Sequence, residues 1–261
     1  MTDVQGRPIW YELMTSAGSL GAAGTFYGEV LGWSVSDSGM EGFTYHLATS
    51  DGDMVAGMME PPPDAGGMPP FWMIYFAVDD ADKAAAAIEA AGGRIHRAPA
   101  DIPGTGRFAV AGDPQGAGFG ILAPQPMADG GVGNAFDQGK AGHGNWTELM
   151  TTDPEAGFRF YAGLFGWAKS RALDMGAMGT YQLFSHGGAD IGGIMGLGNA
   201  PSPSWLPYFG VDGVSAAIGR VEAAGGRLAH GPMEVPGGAF IAVAQDPQGA
   251  WFALVGPMET A

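Results

Sequence analysis

The chain has 261 residues, more than a single typical domain, and its 46% hydrophobic and 15% charged residues suffice for a sizeable core. A net charge of −16 argues against nucleic-acid and anionic-membrane partners, because phosphate binding needs a basic surface. Zero cysteines exclude disulfides, thiol catalysis and thiolate metal sites. No apolar run reaches the roughly 18 residues that span a bilayer, and MTDVQGRP carries no basic-then-apolar leader, so a cytoplasmic protein is expected.

In chain order, residues 8–15 read as a strand and 19–31 as a helix weakened by Gly21, Gly24 and Gly28. Short strands follow around 33–37, 43–49 and 52–59, then a proline-rich loop at 61–70. Phe71 to Val78 is a strand. Residues 79–91 form an Ala-rich helix with Asp79 as its cap, ending at Gly92-Gly93. Strands near 94–97, 106–112 and 117–123 complete the first half, the last two joined by the turn DPQG. Residues 125–141 have no periodicity and read as a linker. In the second half, helix 153–165 is better specified, with Asp153 as cap and Pro154 at the first helical position. The last few residues are expected to fray.

The second half repeats the first. WYELMT at Trp10 to Thr15 returns as WTELMT at Trp146 to Thr151, and Phe26-Tyr27 with Leu31-Gly32-Trp33 returns as Phe160-Tyr161 with Phe165-Gly166-Trp167. Thr44-Tyr45 matches Thr180-Tyr181, EAAGGR occurs at Glu89 and Glu222, and DPQGA occurs at Asp113 and Asp246. The offsets stay between 133 and 136 residues, so only small loop insertions separate equivalent halves.

A doubled strand–helix–three-strand unit with these motifs in this order resembles the vicinal oxygen chelate superfamily of glyoxalase I, extradiol dioxygenases and bleomycin- and fosfomycin-resistance proteins. The resemblance implies an α+β fold: two tandem glyoxalase-like domains, 6–124 and 142–258, each of paired βαβββ units forming a curved sheet around a cavity. It also implies metal ligands on the first and last strands of each unit. Those positions align with Trp10 and Trp146, Gly57 and Gly193, Met73 and Leu206, and Gly120 and Ala253, none of which offers a side-chain ligand. No metal or other cofactor is therefore expected, although a slip of two residues brings Glu12 and Glu148 to the first position.

Glu12 and Glu148 are the candidate acid–base groups. Each lies two residues from Trp10 or Trp146, on the same strand face, where desolvation would raise a carboxylate's pKa. A structurally hydrogen-bonded Glu is the alternative. Tyr45, Tyr181, Tyr75 and Tyr208 recur at equivalent sites and either orient a ligand or pack in the sheet. Trp10, Trp146, Trp72 and Trp205, with Met14, Met58, Met150 and Met195, either line an apolar pocket or form core. The five histidines do not cluster and read as surface or turn residues. Arg107 has no basic counterpart in the second half, where Phe240 stands. No phosphate loop, dinucleotide fingerprint, HExxH or GxSxG motif occurs. Three readings follow: a metal-independent lyase or isomerase acting on an apolar or carbonyl-bearing metabolite, a non-catalytic protein that sequesters such a ligand, and a divergent metal enzyme. A monomer or a homodimer is compatible with each.

Overall fold

The computed structural model describes residues 4–40, 42–62, 67–126 and 133–259. The first half runs β1 (Pro8–Met14), α1 (Leu20–Leu31), β2 (Ser34–Asp37), β3 (His46–Ser50) and β4 (Asp53–Met59), then β5 (Phe71–Ala77), α2 (Ala81–Ala90), β6 (Arg94–Ile102), β7 (Gly106–Gly112) and β8 (Gly118–Pro124). The second runs β9 (Gly144–Thr151), α3 (Pro154–Phe165), β10 (Ala168–Asp174), β11 (Thr180–His186) and β12 (Ala189–Gly196). It closes with β13 (Ser204–Gly210), α4 (Val214–Ala223), β14 (Arg227–Glu234), β15 (Phe240–Gln245) and β16 (Trp251–Gly256). The strands form two eight-stranded sheets, ordered β2-β3-β4-β1-β5-β8-β7-β6 and β10-β11-β12-β9-β13-β16-β15-β14. Strand for strand, the second order is the first advanced by eight. None of the described helices is long and apolar enough to cross a membrane.

Packing groups the chain differently from the repeat. One compact unit comprises Met1–Ile9, Ile74–Gly133 and Thr147–Leu206, and the other Trp10–Met73, Asn134–Trp146 and Pro207–Ala261. Each unit thus combines a βαβββ module from one repeat with one from the other.

The motifs FY and LGW or FGW build both cores. Gly32 and Gly166 end α1 and α3 in the left-handed conformation, at φ 74° and 72°. The turn sends Trp33 and Trp167 back into the interior, where their indole N–H groups donate to Gly142 O at 2.7 Å and Gly6 O at 2.8 Å. In the second unit Tyr27 meets Trp72 edge-on at 5.1 Å, and Phe209 packs on both Trp33 and Trp72. In the first unit Tyr161 meets Trp205 at 5.1 Å, beside Phe76 and Trp167.

A buried relay runs through each core. Trp72 Nε1 donates to Tyr27 Oη at 2.8 Å, and Tyr27 Oη donates to Asp246 Oδ2 at 3.0 Å. The other carboxylate oxygen, Oδ1, accepts the backbone N–H groups of Gln248, Gly249 and Ala250 within its own DPQG turn. The counterpart joins Trp205, Tyr161 and Asp113, with Asp113 Oδ1 accepting from Gln115 and Ala117. Burial and then the neighbouring aspartate hold both tyrosine hydroxyls well above their ordinary pKa. Burial also raises Asp246, against the pull of its hydrogen bonds.

Four expectations change. The cap of α2 is Asp80, not Asp79: its carboxylate accepts from Asp82 N and Lys83 N, one residue nearer the helix. Residues 127–132 of the expected linker and 63–66 of the expected loop lie outside the described residues. The remainder, from Asn134, is not a free linker: Ala135 and Phe136 are buried, and Phe136 bridges to Gly144. His143 is neither a surface nor a loosely held turn residue but 0% exposed, with Nδ1 2.9 Å from Ala141 O and Nε2 3.2 Å from Asp53 Oδ2. Asp53 also accepts from Lys140 Nζ at 2.8 Å and Asn134 Nδ2 at 3.1 Å, and these bonds, Lys140 first, draw its pKa down to about 2. The C-terminal stretch is pinned as far as Glu259, whose carboxylate accepts from Ser215 N and Ala216 N. Gly213, at the N-cap of α4, has no side chain to do so.

The relay sets an alkaline limit on stability. The unfolded chain releases its phenolic protons near pH 10 whereas native Tyr27 and Tyr161 keep theirs, so stability should fall as pH rises above about 10. Tyr27→Phe should flatten part of that fall. At neutral pH it should cost about 2 kcal/mol, because Trp72 loses an acceptor and Asp246 a donor. Denaturant unfolding of wild type and variant from pH 7 to 11 checks both.

Candidate functional site

β1 alternates cleanly. Ile9, Tyr11 and Leu13 are buried, whereas Trp10, Glu12 and Met14 are half-buried on the opposite face. β1 pairs in parallel with β4 so that Glu12 stands across from Gly57. The missing side chain at Gly57 matters: a Cβ there would overlap the Tyr45 hydroxyl. Tyr45, which leads into β3, therefore lays its ring across β4 and reaches Glu12.

Two directed hydrogen bonds result. Trp10 Nε1 donates to Tyr45 Oη at 3.0 Å, and Tyr45 Oη donates to Glu12 Oε2 at 3.0 Å. Burial, and then the charge of Glu12, raise the Tyr45 pKa, so the phenol stays a donor at neutral pH. Phe43 stacks on Tyr45 with ring centres 5.9 Å apart and remains 42% exposed. The cluster thus offers a hydrogen-bonded carboxylate beside an accessible aromatic surface.

The second repeat has the same strand pairing and the same exchange of glycine for tyrosine. Glu148 stands across from Gly193, and the Tyr181 ring occupies the space a Cβ on Gly193 would need. Glu148 is 9% exposed, and Trp146 is half-buried. Tyr75 stands across from Gly120 and fills the volume over it, with Phe108 6.4 Å away and the Arg97 guanidinium 4.7 Å above that ring. Tyr208 is buried across from Ala253.

The other candidates stand elsewhere. Trp72 and Trp205 lie in the aromatic cores, bonded to Tyr27 and Tyr161, so their work is packing rather than lining a site with Glu12 or Glu148. Met58 is fully buried, while Met14, Met150 and Met195 are half-buried. Arg107 is held by Asp82 and Asp101 in an exposed ion network. Phe43 was not among the sequence candidates. Its signal was an asymmetry: Gly179 occupies the matching place before Thr180-Tyr181.

The strand register shows which residues stand across from the glycine and alanine positions. Gly57, Gly193, Gly120 and Ala253 pair with Glu12, Glu148, Tyr75 and Tyr208, two residues beyond Trp10, Trp146, Met73 and Leu206. Two carboxylates, two phenols and four positions without a donor do not suit a first-row metal centre, which needs three or more ligands. Among the described residues no three His, Asp or Glu side chains gather closely enough to hold an ion.

The Glyoxalase/Bleomycin resistance protein/Dioxygenase superfamily matches residues 13–121 and 144–254. The chain belongs to this superfamily. CFP32 of Mycobacterium tuberculosis (strain CDC 1551 / Oshkosh), described as a candidate glyoxylase, is 34% identical over 97% of this chain and 95% of its own length. The anthracycline biosynthesis protein DnrV of Streptomyces peucetius is 33% identical over 96% and 93%. The Mn(II)-bound glyoxalase from Novosphingobium aromaticivorans shares the fold at TM-score 0.65 and 17% identity, covering 98% of this chain and 83% of that one. The 2,3-dioxygenase LapB from Pseudomonas sp. KL28 does so at 0.67 and 15%, covering 98% and 94%. This glyoxalase-like chain therefore keeps the superfamily's duplicated modules.

The Gly57–Tyr45 exchange is testable. Gly57→Ala should displace the Tyr45 ring and cost about 1–3 kcal/mol by overpacking, with near-ultraviolet circular dichroism and thermal unfolding as readouts. The same substitution at Gly163 in α3, which has no positive φ and where a Cβ meets nothing within 4 Å, should leave the site intact.

Proposed function

We propose that this glyoxalase-like protein binds a small, apolar, carbonyl-bearing molecule over the Trp10–Tyr45–Glu12 cluster and moves a proton on it, in a lyase or isomerase reaction. Glu12 is the base, and Tyr45 holds its carboxylate in place. The observation that carries this reading is the chain of two 3.0 Å bonds that ties Glu12 to Tyr45, whose ring stacks against the exposed Phe43. A positioned carboxylate beside an apolar wall is suited to abstract a proton next to a carbonyl. Glu148 performs the corresponding role in the second repeat. The reaction takes place in the cytoplasm without the superfamily's metal, in keeping with the glycine or alanine at Gly57, Gly193, Gly120 and Ala253.

The relatives' names support two parts of the reading. One is described as a candidate glyoxylase, which fits a carbonyl substrate, and another as an anthracycline biosynthesis protein, which fits an aromatic ligand lying against Phe43. That exposed ring also favours a second reading, sequestration of an aromatic ligand without turnover.

A screen of small carbonyl compounds by thermal shift and turnover, on wild type and Glu12→Gln, tests the proposal. A ligand should raise the melting temperature of both proteins, while turnover falls roughly a hundredfold or more in the variant. Chelator should leave the wild-type rate unchanged. Binding without turnover in the wild type selects sequestration, and a chelator-sensitive rate overturns the metal-free mechanism.

A further inference from the structure

The edge strand β6 carries Arg94, His96 and Arg97 close together, although the chain as a whole has a net charge of −16. Simple alternation would divide the three between the two faces of the sheet. A β-bulge gathers them instead. Arg94 stands across from Gly112, Ile95 from Ala111 and Arg97 already from Val110, so His96 is the extra residue. Gly112, Val110 and Phe108 share one face of β7, and residues opposed in an antiparallel pair point the same way, so both arginines lie on that face. His96 joins them, because a Cβ on Gly112 would lie 2.7 Å from its Nε2. The other face belongs to α2: Ala109 and Ala111 are fully buried, and Arg107 reaches Asp82 in the first turn of that helix.

The basic face is open and its charges are unspent. Arg94, His96 and Arg97 are exposed, and among the described residues none of them is bonded to a carboxylate. Arg107, on the opposite face, is held by both Asp82 and Asp101. The floor beside Arg94 is bare, since Gly112 pairs with Gly118. The second repeat keeps the bulge but fills the row: Gln245 and Trp251 stand where Gly112 and Gly118 stand in the first. There Arg227 donates to Gln245 Oε1 at 2.5 Å and lies 6.0 Å from the Trp251 ring, while Ala229 replaces His96 and His230 replaces Arg97. In the first repeat the Arg97 guanidinium sits 4.7 Å above the Phe108 ring, a stack that orders the cation without using its N–H donors.

We propose that the Arg94–His96–Arg97 face binds a small phosphate dianion. Two guanidinium charges match its two negative charges, their planar forks suit its oxygens, and the imidazole supplies a further N–H donor. The negative charge of the rest of the chain repels extended polyanions, which restricts the site to a ligand small enough to meet only these three side chains.

The test is titration of the full chain with inorganic phosphate at low ionic strength, where exposed charges are least screened. The phosphorus NMR line width and the His96 ring signals, identified by their loss in His96→Gln, report binding. Wild type should saturate with a dissociation constant of about a millimolar. Arg94→Gln and Arg97→Gln, both at exposed positions, should each weaken binding about tenfold, the size of one hydrogen bond to a charged group. Arg107→Gln removes the same charge from the opposite face and should bind phosphate as wild type does. Acetate, a monoanion, should displace phosphate only at concentrations about tenfold higher. The proposal is overturned if wild type shows no saturable change, or if Arg94→Gln or Arg97→Gln binds phosphate as wild type does. Equal weakening by Arg107→Gln, or acetate binding as tightly as phosphate, overturns it too.

Discussion

A buried carboxylate that accepts hydrogen bonds through both oxygens holds each unit of this protein together. Asp246 turns its own chain with one oxygen and accepts the Tyr27 hydroxyl with the other, and Trp72 completes the relay. Tyr27 comes from the first repeat and Asp246 from the second, 219 residues away. The relay thus fixes the helix of one module against the final hairpin turn of another. Removing any member would leave a buried polar group without its partner, which costs more than the bond itself contributes. The Tyr161–Asp113–Trp205 relay does the same work in the other unit.

That scaffold leaves the opposite face of β1 and β9 for chemistry. Because Tyr11 and Leu13 are committed to the interior, strand alternation has to turn Trp10 and Glu12 the other way. Gly57 then decides what reaches Glu12. With any larger residue the Tyr45 ring could not cross β4, and the carboxylate would lose its oriented donor. The same exchange of a glycine for a neighbour's tyrosine recurs at Gly193 with Tyr181 and at Gly120 with Tyr75. Phenol thus takes up the space over a strand glycine in three of the four modules.

Much of this was legible in the sequence because the chain states it twice. The repeat located the modules, and FY with LGW or FGW marked the first helix of each half. Local chemistry carried Asp153 and Pro154 correctly to the start of α3. Relations between distant segments were not legible. DPQG looked like a turn and nothing more, because the tyrosine that completes its aspartate lies far off in sequence. The parallel register that sets Glu12 rather than Trp10 across from Gly57 is fixed by pairing and not by spacing along one strand. Trp72 and Trp205 carried an apolar signal that fits a pocket wall and a core equally well, and the hydrogen bonds to Tyr27 and Tyr161 show the core. His143 and Glu259 looked peripheral, since their partners, Asp53 and the first turn of α4, are 90 and more than 40 residues away.

The central claim is that Glu12, held by Tyr45, removes a proton beside a carbonyl without a metal. The most direct measurement is hydrogen–deuterium exchange at the carbon next to the carbonyl of 2-tetralone, an aromatic ketone, followed by proton NMR in deuterated buffer containing chelator. The account predicts that wild-type protein accelerates loss of that proton signal, that Glu12→Gln does not, and that Tyr45→Phe retains part of the acceleration. Exchange no faster than in buffer, or equally fast with Glu12→Gln, would contradict it.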